Sequence, residues 1–248
     1  MEDYNLNYGE ALNKISQDFD INNSNYNPKI QVPYEIEESH IEKIQITPKS
    51  YSKRFIDYYK DYLILPETCK EENVYCVDKL FIDGNNWYIN PNELCIAYYF
   101  PDIDKIKILR PDQPKQYKWR TNVPNTYIDG LSTISSEDKN VILLKSMKDK
   151  MLIKQLGFIN VLSTQMEGKF VITDETEEKL KDYNKIIWMD GDKTGKEVSE
   201  FYKNKGWNPI YFEDYFFDIF SITDPTDYTK EFKSTDLIKQ LINEKIHI

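Results

Sequence analysis

The stretch KIIWMDGDKTGKEVSEFYKNKG, residues 185–206, contains the pattern that decides the fold. An apolar run is followed by Asp190 and Asp192, and then by a segment with helical spacing that ends at Gly206. The pattern predicts a buried strand, a short loop and a helix. Because the two aspartates stand two residues apart at the end of a strand, their side chains are expected to point to one side.

Three more apolar runs of strand length flank that stretch. They are NVILLK at 140–145, FINVLS at 158–163 and NPIYF at 208–212, and segments with helical features separate them. Strands that alternate with helices at this spacing predict a parallel sheet over residues 139–248. In such sheets binding sites lie at the carboxyl ends of the strands, which is where the two aspartates fall.

Residues 51–138 show a different, α+β pattern. One segment at 51–64 has the aromatic spacing of a helix, and the short β-rich runs after it are separated by Asp-Gly, Asn-Pro and Pro-Asp turns. These features predict an antiparallel, twisted sheet. Residues 1–50 are predicted to form a short helix over about 1–22 and then an extended linker. The predicted domains are therefore 1–50, 51–138 and 139–248.

The composition argues against a membrane-spanning protein and against a generic nucleic-acid binder. The longest apolar run, Leu94–Phe100, is far shorter than the about 20 residues that cross a bilayer. The first residues lack a basic leader and an apolar segment, so we expect a cytoplasmic protein, in the host cytoplasm if a phage encodes it. The net charge of −10 opposes non-specific binding to phosphate, which needs lysine and arginine.

One segment, residues 104–120, is nonetheless basic. From composition alone two interpretations stay open: a hairpin with a solvated face, or a surface that contacts a phosphate backbone. Its Tyr117 and Trp119 could pack in a core or stack on bases. The basic residues of the segment are Lys105, Lys107, Arg110, Lys115, Lys118 and Arg120.

The available ligand types favour a hard metal ion over zinc. Cys69, Cys76 and Cys95 lack zinc-ligand spacing and are expected to be reduced structural thiols. The two histidines, His40 and His247, are too few for a histidine-based site. Any metal would therefore be bound by oxygen, the ligand that Mg²⁺ or Mn²⁺ prefers.

Two interpretations of the Asp-x-Asp pair stay open from the residues alone. Aspartate and glycine are common in solvated loops, so the pair by itself is weak support for a metal site. Two carboxylates this close also repel each other unless a cation lies between them, an arrangement suited to phosphoryl transfer. Further aspartates follow other predicted strands, namely Asp149 just past the first strand and Asp224 and Asp227 in a turn beyond the fourth.

Four motifs, in order along the chain, resemble the Toprim fold of bacterial and phage DNA primases. In that family a strand ends in Glu-Gly with an Asp three residues on, a second strand follows, and a later strand runs into Asp-x-Asp-x-x-Gly before an Asp-Pro turn. The matching segments are VILLKSMKD at 141–149, QLGFINVLS at 155–163, IIWMDGDKTGK at 186–196 and TDPTDY at 223–228. The resemblance implies an α/β Toprim domain with a parallel sheet, preceded by an α+β primase N-terminal subdomain.

The upstream region is similar to the same family. ELCIAYYFPDIDKIKILRP at 93–111 resembles a sheet segment of a primase polymerase domain, and KWRTN at 118–122 follows where the family contacts template and nucleotide. NLNYGEALNKISQDF at 5–19 is similar to the helix after a primase zinc-binding module. The cysteines of that module are absent here, which implies a fragment or a natural truncation.

The resemblance implies a DNA primase polymerase domain that synthesises RNA primers on single-stranded DNA by metal-dependent nucleotidyl transfer. Its implied partners are a single-stranded DNA template, ribonucleotides and a replicative helicase. The implied ligands of Mg²⁺ or Mn²⁺ are Asp190, Asp192 and Asp224. The catalytic set is Asp149, Asp190, Asp192 and Lys145. The residues expected to contact phosphate or template are Arg110, Lys115, Lys118 and Arg120.

One position departs from the family pattern. Where the family has a catalytic glutamate at the end of the first strand, this chain has Lys145, followed by Ser146 in place of glycine. A protonated lysine cannot bind a metal, and beside Asp190 it is expected to form an ion pair that fills the space of a cation. Glu167 could supply a carboxylate from another loop, but we expect it to be a solvated loop residue.

Two alternatives to an active primase stay open. The first is a catalytically impaired Toprim module that binds nucleic acid or a replisome partner, which the lysine, the acidic charge and the missing zinc module all favour. The second is a Toprim nuclease, which the upstream resemblance to primases disfavours.

Overall fold

Two sheets, one antiparallel and one parallel, organise the part of the chain that the computed structural model describes, residues 42–246. The helix predicted within the first 22 residues lies outside the described residues. Within them, the predicted order of an antiparallel α+β part followed by a parallel α/β part is confirmed.

The antiparallel sheet has six strands in the order β1-β2-β4-β5-β6, with β3 paired to β2 at one end. Its first strand lies within the segment predicted as a linker. The end of that segment pairs with β2, and its Ile44 is buried. The alternating apolar residues of the stretch KIQIT at 43–47, Ile44 and Ile46, therefore belong to the sheet. The strands are β1 (Ile44–Lys49), β2 (Val74–Ile82), β3 (Asn85–Trp87), β4 (Ile96–Phe100), β5 (Lys105–Leu109) and β6 (Trp119–Thr121).

Three helices accompany this sheet. Ser52 caps the first of them by accepting a hydrogen bond from the Phe55 N–H, and Phe55 and Tyr59 are its buried residues. The aromatic spacing in the sequence thus marks the buried face of a helix, as predicted. The helices are α1 (Lys53–Lys60), α2 (Pro66–Glu71) and the single turn α3 (Lys115–Lys118).

The parallel sheet has four strands in the order β10-β9-β7-β8. In its central strands, the last four residues of β7 and the last three of β9 are buried and apolar, as expected of strands covered on both faces. The fourth strand is only two residues long. The strands are β7 (Asn140–Leu144), β8 (Val161–Ser163), β9 (Asn184–Trp188) and β10 (Asn208–Pro209).

Helices follow each of these strands. Because all four strands run in one direction, the loops that lead into the helices gather at the same edge of the sheet. The helices are α4 (Met147–Gln155), α5 (Asp174–Lys179), α6 (Lys193–Lys203), α7 (Asp214–Phe220), α8 (Pro225–Phe232) and α9 (Asp236–Ile246).

A shared hydrophobic core joins the two sheets. Tyr98 and Phe100 from β4 lie in the same buried cluster as Leu144 and Trp188 from the parallel sheet. The outer face of the antiparallel sheet is covered by a separate cluster that includes Ile108. One face of the antiparallel sheet therefore packs toward the carboxyl ends of the parallel strands, where Leu144 and Trp188 lie.

The three cysteines are buried free thiols, as predicted. Among residues 42–246, no helix is long and apolar enough to cross a membrane. The predicted domain boundaries stay predictions.

Candidate metal centre and cleft

Three acidic side chains meet at the carboxyl edge of the parallel sheet. Glu167 lies in the loop after β8, whereas Asp190 and Asp192 lie in the loop after β9. Their carboxylate oxygens all lie within 4.8 Å of one another. We call these three residues the acidic cluster.

Backbone contacts hold the acidic cluster in place. The Asp190 N–H donates a hydrogen bond to Glu167 Oε1 over 3.2 Å, and the Gly195 N–H donates to Asp192 Oδ1 over 2.8 Å. Asp192 is thereby the N-cap of α6. A side chain at Gly195 would collide with the Asp190 backbone, since a Cβ there would lie 2.0 Å from its carbonyl oxygen. The close approach of α6 to the loop therefore requires glycine at this position.

Glu167 differs from its expected position. Its side chain is only 8% exposed, and it lies 3.6 Å from the ammonium of Lys145. The expectation that Glu167 is a solvated loop residue is therefore wrong. In the family pattern the carboxylate at this edge follows the first strand. In this chain Lys145 stands at that position after β7, and Glu167 supplies a carboxylate to the same edge from the loop after β8.

Lys145 forms the expected ion pair. Its Nζ donates a hydrogen bond to Asp190 Oδ2, and its side chain is one-third exposed. Burial lowers the pKa of Lys145, but the hydrogen bond and charge of Asp190 outweigh that effect, so the pKa is raised overall. Lys145 is therefore a stable cation at neutral pH.

Burial also dominates the titration of Asp190 and Glu167. It raises the pKa of Asp190 to about 6, even though the Lys145 ammonium acts in the opposite direction. Burial raises the pKa of Glu167 as well, again against the effect of Lys145. The half-buried site holds three carboxylates but only one ammonium. A further cation would therefore be stabilised there.

The remaining predicted aspartates form a second group beside α8. Asp149 is fully buried and accepts hydrogen bonds from the Thr226 N–H over 3.1 Å and from the Ser146 hydroxyl. Asp224 caps α8 by accepting from the Asp227 N–H over 2.7 Å. Asp224 thus lies outside the acidic cluster, and Asp149 is tied to a helix terminus. Burial and then the charge of Asp224 raise the pKa of Asp149.

A cleft of about 310 Å³ lies between the two sheets next to the acidic cluster. It is bounded by β4, β5 and β6 on one side, and by the start of α4 and the loop after β8 on the other. Three of its lining residues are lysines. The lining residues are Tyr98, Lys107, Trp119, Thr121, Asn125, Lys145, Ser146, Met147, Lys148, Gln165 and Met166.

Lys107 is the most perturbed of these lysines. Its Nζ donates to the Gln165 carbonyl over 2.9 Å and lies 5.0 Å from the centre of the Trp119 ring. Burial, and then repulsion by Lys145, lowers the pKa of Lys107 to about 8. A lysine so placed gains from an anion in the cleft, because an anion would offset both effects.

The pleat of β5 and β6 separates the basic residues into two sets. Lys107 faces Thr121 across the strand pair and points into the cleft, whereas Arg120 is paired with Ile108 on the outer face. The Arg120 guanidinium lies 4.8 Å from the centre of the Trp87 ring. Arg120 is therefore on the opposite side of the sheet from the cleft.

The other residues predicted to contact phosphate also lie outside the cleft lining. Arg110 forms a two-pronged ion pair with Glu93, in which both side chains are largely buried. Lys115 is exposed and Lys118 is half-buried, and both lie on α3. Their contact with phosphate stays a prediction, whereas Lys107, Lys145 and Lys148 are the lysines that the fold gathers in the cleft.

The donor set of the acidic cluster fits a hard divalent ion. The separation of up to 4.8 Å is close to the about 4.2 Å between opposite ligands of an octahedral Mg²⁺. All three donors are carboxylates, which suit Mg²⁺ or Mn²⁺. The Lys145 ammonium takes up part of this space, and the Lys145 side chain also lines the cleft.

Comparisons by sequence find no protein-family model that matches the chain and no curated protein that matches it. Solved structures do match. The Aquifex aeolicus primase, with its zinc binding and RNA polymerase domains, has a TM-score of 0.54 and 16% identity over 78% of this chain and 56% of that chain. The RNA polymerase domain of Mycobacterium tuberculosis primase DnaG has a TM-score of 0.53 and 10% identity over 77% of both chains.

A third structure, the DnaG primase catalytic domain bound to ssDNA, has a TM-score of 0.56 and 8% identity over 79% of this chain and 73% of that chain. At such identities the likeness shows the fold alone. The chain therefore has the fold of bacterial primase polymerase domains, as the motifs predicted, and its match spans 56% of the solved Aquifex chain.

Lys107 and Glu167 stand outside the set of site residues predicted from the sequence, in which Glu167 is only an alternative carboxylate. Lys107 shares the odd-numbered face of β5 with the buried Leu109. That period-2 pattern was a usable signal. Glu167 carried no such signal, because it follows β8 in an irregular loop.

Proposed function

We propose that this chain is the polymerase module of a DNA primase. It would join ribonucleotides on a single-stranded DNA template in the cytoplasm, or in the host cytoplasm if a phage encodes it. The observation that carries the proposal is the position of the acidic cluster beside a cleft lined by three lysines and an aromatic ring, on a primase fold.

The cleft has the chemistry of a nucleic-acid site. Lysine ammonium groups neutralise phosphates, and an exposed aromatic ring stacks on a base without sequence preference. Trp119 is 43% exposed, and its ring lies beside Lys107 and Tyr98. We assign template or nucleotide binding to Lys107, Lys148 and Trp119. We propose no contact inside the cleft for the other basic residues, so any phosphate that they bind would lie outside it. These residues are Arg110, Lys115, Lys118 and Arg120.

The acidic cluster is the proposed metal site. Asp190, Asp192 and Glu167 would hold Mg²⁺ or Mn²⁺, and a bound ion supplies Lewis-acid stabilisation of the charge that develops in phosphoryl transfer. Asp149 and Asp224 support the cluster through the start of α8. The hydrogen bond from the Asp190 N–H to Glu167 Oε1 would orient the Glu167 carboxylate before substrate enters.

A primer-synthesis assay tests this proposal. Purified full chain is incubated with ribonucleotides, single-stranded DNA templates and Mn²⁺, and the products are separated on a denaturing gel. Wild-type protein should make short RNA, and the Asp190→Asn variant should not. Asp214→Asn changes an exposed aspartate of α7 and should behave as wild type. If neither wild type nor Lys145→Glu makes product, the enzyme proposal is rejected.

The ion pair of Lys145 favours a second candidate function, a non-catalytic module that holds single-stranded nucleic acid for a replisome partner such as a helicase. In that case the lysine would block metal binding at the acidic cluster permanently. The two candidates differ in one measurable respect. The non-catalytic module would bind a fluorescent oligonucleotide in the cleft. Neither the addition of Mn²⁺ nor the Lys145→Glu substitution would give it primer synthesis.

A further inference from the structure

Lys145 occupies an unusual position between two loops. It follows the central strand β7, which pairs with β8 on one side and β9 on the other. The loop after β8 brings Glu167 to it, and the loop after β9 brings Asp190. Within residues 42–246, Lys145 is the only cation ion-paired with the acidic cluster.

We propose that Lys145 is an internal cation that competes with a divalent metal ion for the space between Glu167 and Asp190. Its ammonium hydrogen-bonds Asp190 Oδ2 and lies 3.6 Å from Glu167 Oε2. A metal ion bound to both carboxylates would have to stand where the ammonium stands. The two cations exclude each other by volume and by charge repulsion, which is strong in a half-buried site.

The competition has a structural consequence for the free protein. The acidic cluster does not need a metal ion to be held together, because Lys145 supplies positive charge from within the chain. The cluster stays negative overall, with three carboxylates against one ammonium, so it still attracts a divalent ion. Metal binding is therefore weakened but not abolished.

The cleft offers the displaced lysine a place to go. Lys145 lines the cleft as well as the cluster, and its side chain is one-third exposed. A change of side-chain rotamer toward the cleft would move the ammonium next to Lys107, where an anionic ligand would favour it. Anion binding in the cleft and metal binding in the cluster would then assist each other, and by linkage the effect is reciprocal.

The inference rests on the proposed function in one respect, namely that the acidic cluster is the metal site. Its test is titration calorimetry of the full chain with MnCl₂, without template or ribonucleotide. Lys145→Met removes the ammonium and keeps most of the side-chain volume. Lys145→Gln is a second variant with a polar end, and circular dichroism melts check that each variant is folded.

Lys196→Met is the matched control, because it removes one positive charge from the first turns of α6 without touching the space between the carboxylates. The Lys145 variants should bind Mn²⁺ about tenfold more tightly than wild type or the control. Adding Glu167→Gln to Lys145→Met should remove that gain.

Equal affinity of wild type and both Lys145 variants would overturn the inference. So would a gain that Lys196→Met shares, because it would then reflect net charge alone. The two proposals fail separately. Primer synthesis by wild type combined with equal affinities would leave the proposed function standing. Tighter Mn²⁺ binding in the Lys145 variants, when neither wild type nor Lys145→Glu makes primer, would uphold the competition and reject the enzyme.

Discussion

Two groups of lysines and carboxylates take their lysines from the β7–α4 segment. The groups differ in the balance of positive and negative charge and in burial. In the first, which we call the buried network, Lys150 pairs with Glu72 over 2.7 Å and with Asp129, while Lys154 also pairs with Glu72. Two ammonium groups thus meet two carboxylates. In the second, Lys145 forms ion pairs with Glu167 and Asp190, two of the three carboxylates of the acidic cluster.

The two groups also differ in access to solvent. The Lys150 side chain is 5% exposed, whereas that of Lys145 is 33% exposed and reaches a cleft. The buried network balances its charges and joins the end of α2 to α4, although its Lys154 is 38% exposed and its four residues line a smaller cavity of about 190 Å³. An unbalanced, accessible cluster has unmet negative charge and an open side. Lysine next to carboxylate therefore marks structure in one place and a candidate binding site in the other.

The largest effect should come from breaking the buried network. Lys150→Met leaves the Asp129 carboxylate buried without a cation and should lower the free energy of unfolding by about 3 kcal/mol or more. Urea unfolding followed by circular dichroism measures this change. Lys196→Met, which breaks an exposed pair with Asp214, should cost less than about 1 kcal/mol. Equal losses for the two variants would remove the distinction by burial.

The next largest effect concerns the acidic cluster. Glu167→Gln should reduce primer synthesis about 100-fold, because the cluster loses one of three metal ligands. Its free energy of unfolding should stay close to that of wild type, in contrast to Lys150→Met. Glu197→Gln, at an exposed position of α6, is the control. Full activity in Glu167→Gln would show that the cluster is built without this residue.

A smaller effect is expected in the cleft. Trp119→Leu should weaken the binding of a single-stranded oligonucleotide about tenfold, since stacking on one base contributes about 1–3 kcal/mol. Fluorescence anisotropy measures the affinity. Trp87→Leu removes an aromatic ring from the outer face, beneath Arg120, and should leave the affinity unchanged. A loss in the Trp87 variant alone would place the nucleic acid on the outer face of the sheet.

The smallest effect is a pH dependence of the same binding. Lys107 carries its charge below its pKa of about 8 and loses it above, so its attraction to phosphate is present at pH 7 and lost by pH 9. Oligonucleotide affinity should fall about threefold across that interval. In Lys107→Met the affinity should change little over the same range. A wild-type affinity that is flat from pH 7 to 9 contradicts the assignment of Lys107 to the binding site.

The parallel sheet was predictable because its strands are continuous apolar runs with helical segments between them. The positions of Lys145 and Asp190 followed at once, since each stands directly after a strand whose end defines the edge of the sheet. Their ion pair was predictable for the same reason. The position of a side chain directly after a strand can be predicted as well as the strand itself.

Glu167 and the cleft could not be predicted in this way. Glu167 stands in an irregular loop, and its burial depends on a hydrogen bond from the Asp190 backbone, which only the packed structure provides. The basic segment was visible, but which face of β5 and β6 meets the parallel sheet is decided by packing between sheets. The sequence therefore favoured Arg110 and Arg120, whereas the fold turns Lys107 toward the cleft.

The most direct test of the account is a crystal structure of the full chain soaked with Mn²⁺, with anomalous data collected to locate the metal. We expect an anomalous peak bound by Asp190, Asp192 and Glu167, with the Lys145 ammonium moved into the cleft. A peak elsewhere, or Lys145 still paired with Asp190 at saturating Mn²⁺, would contradict the account.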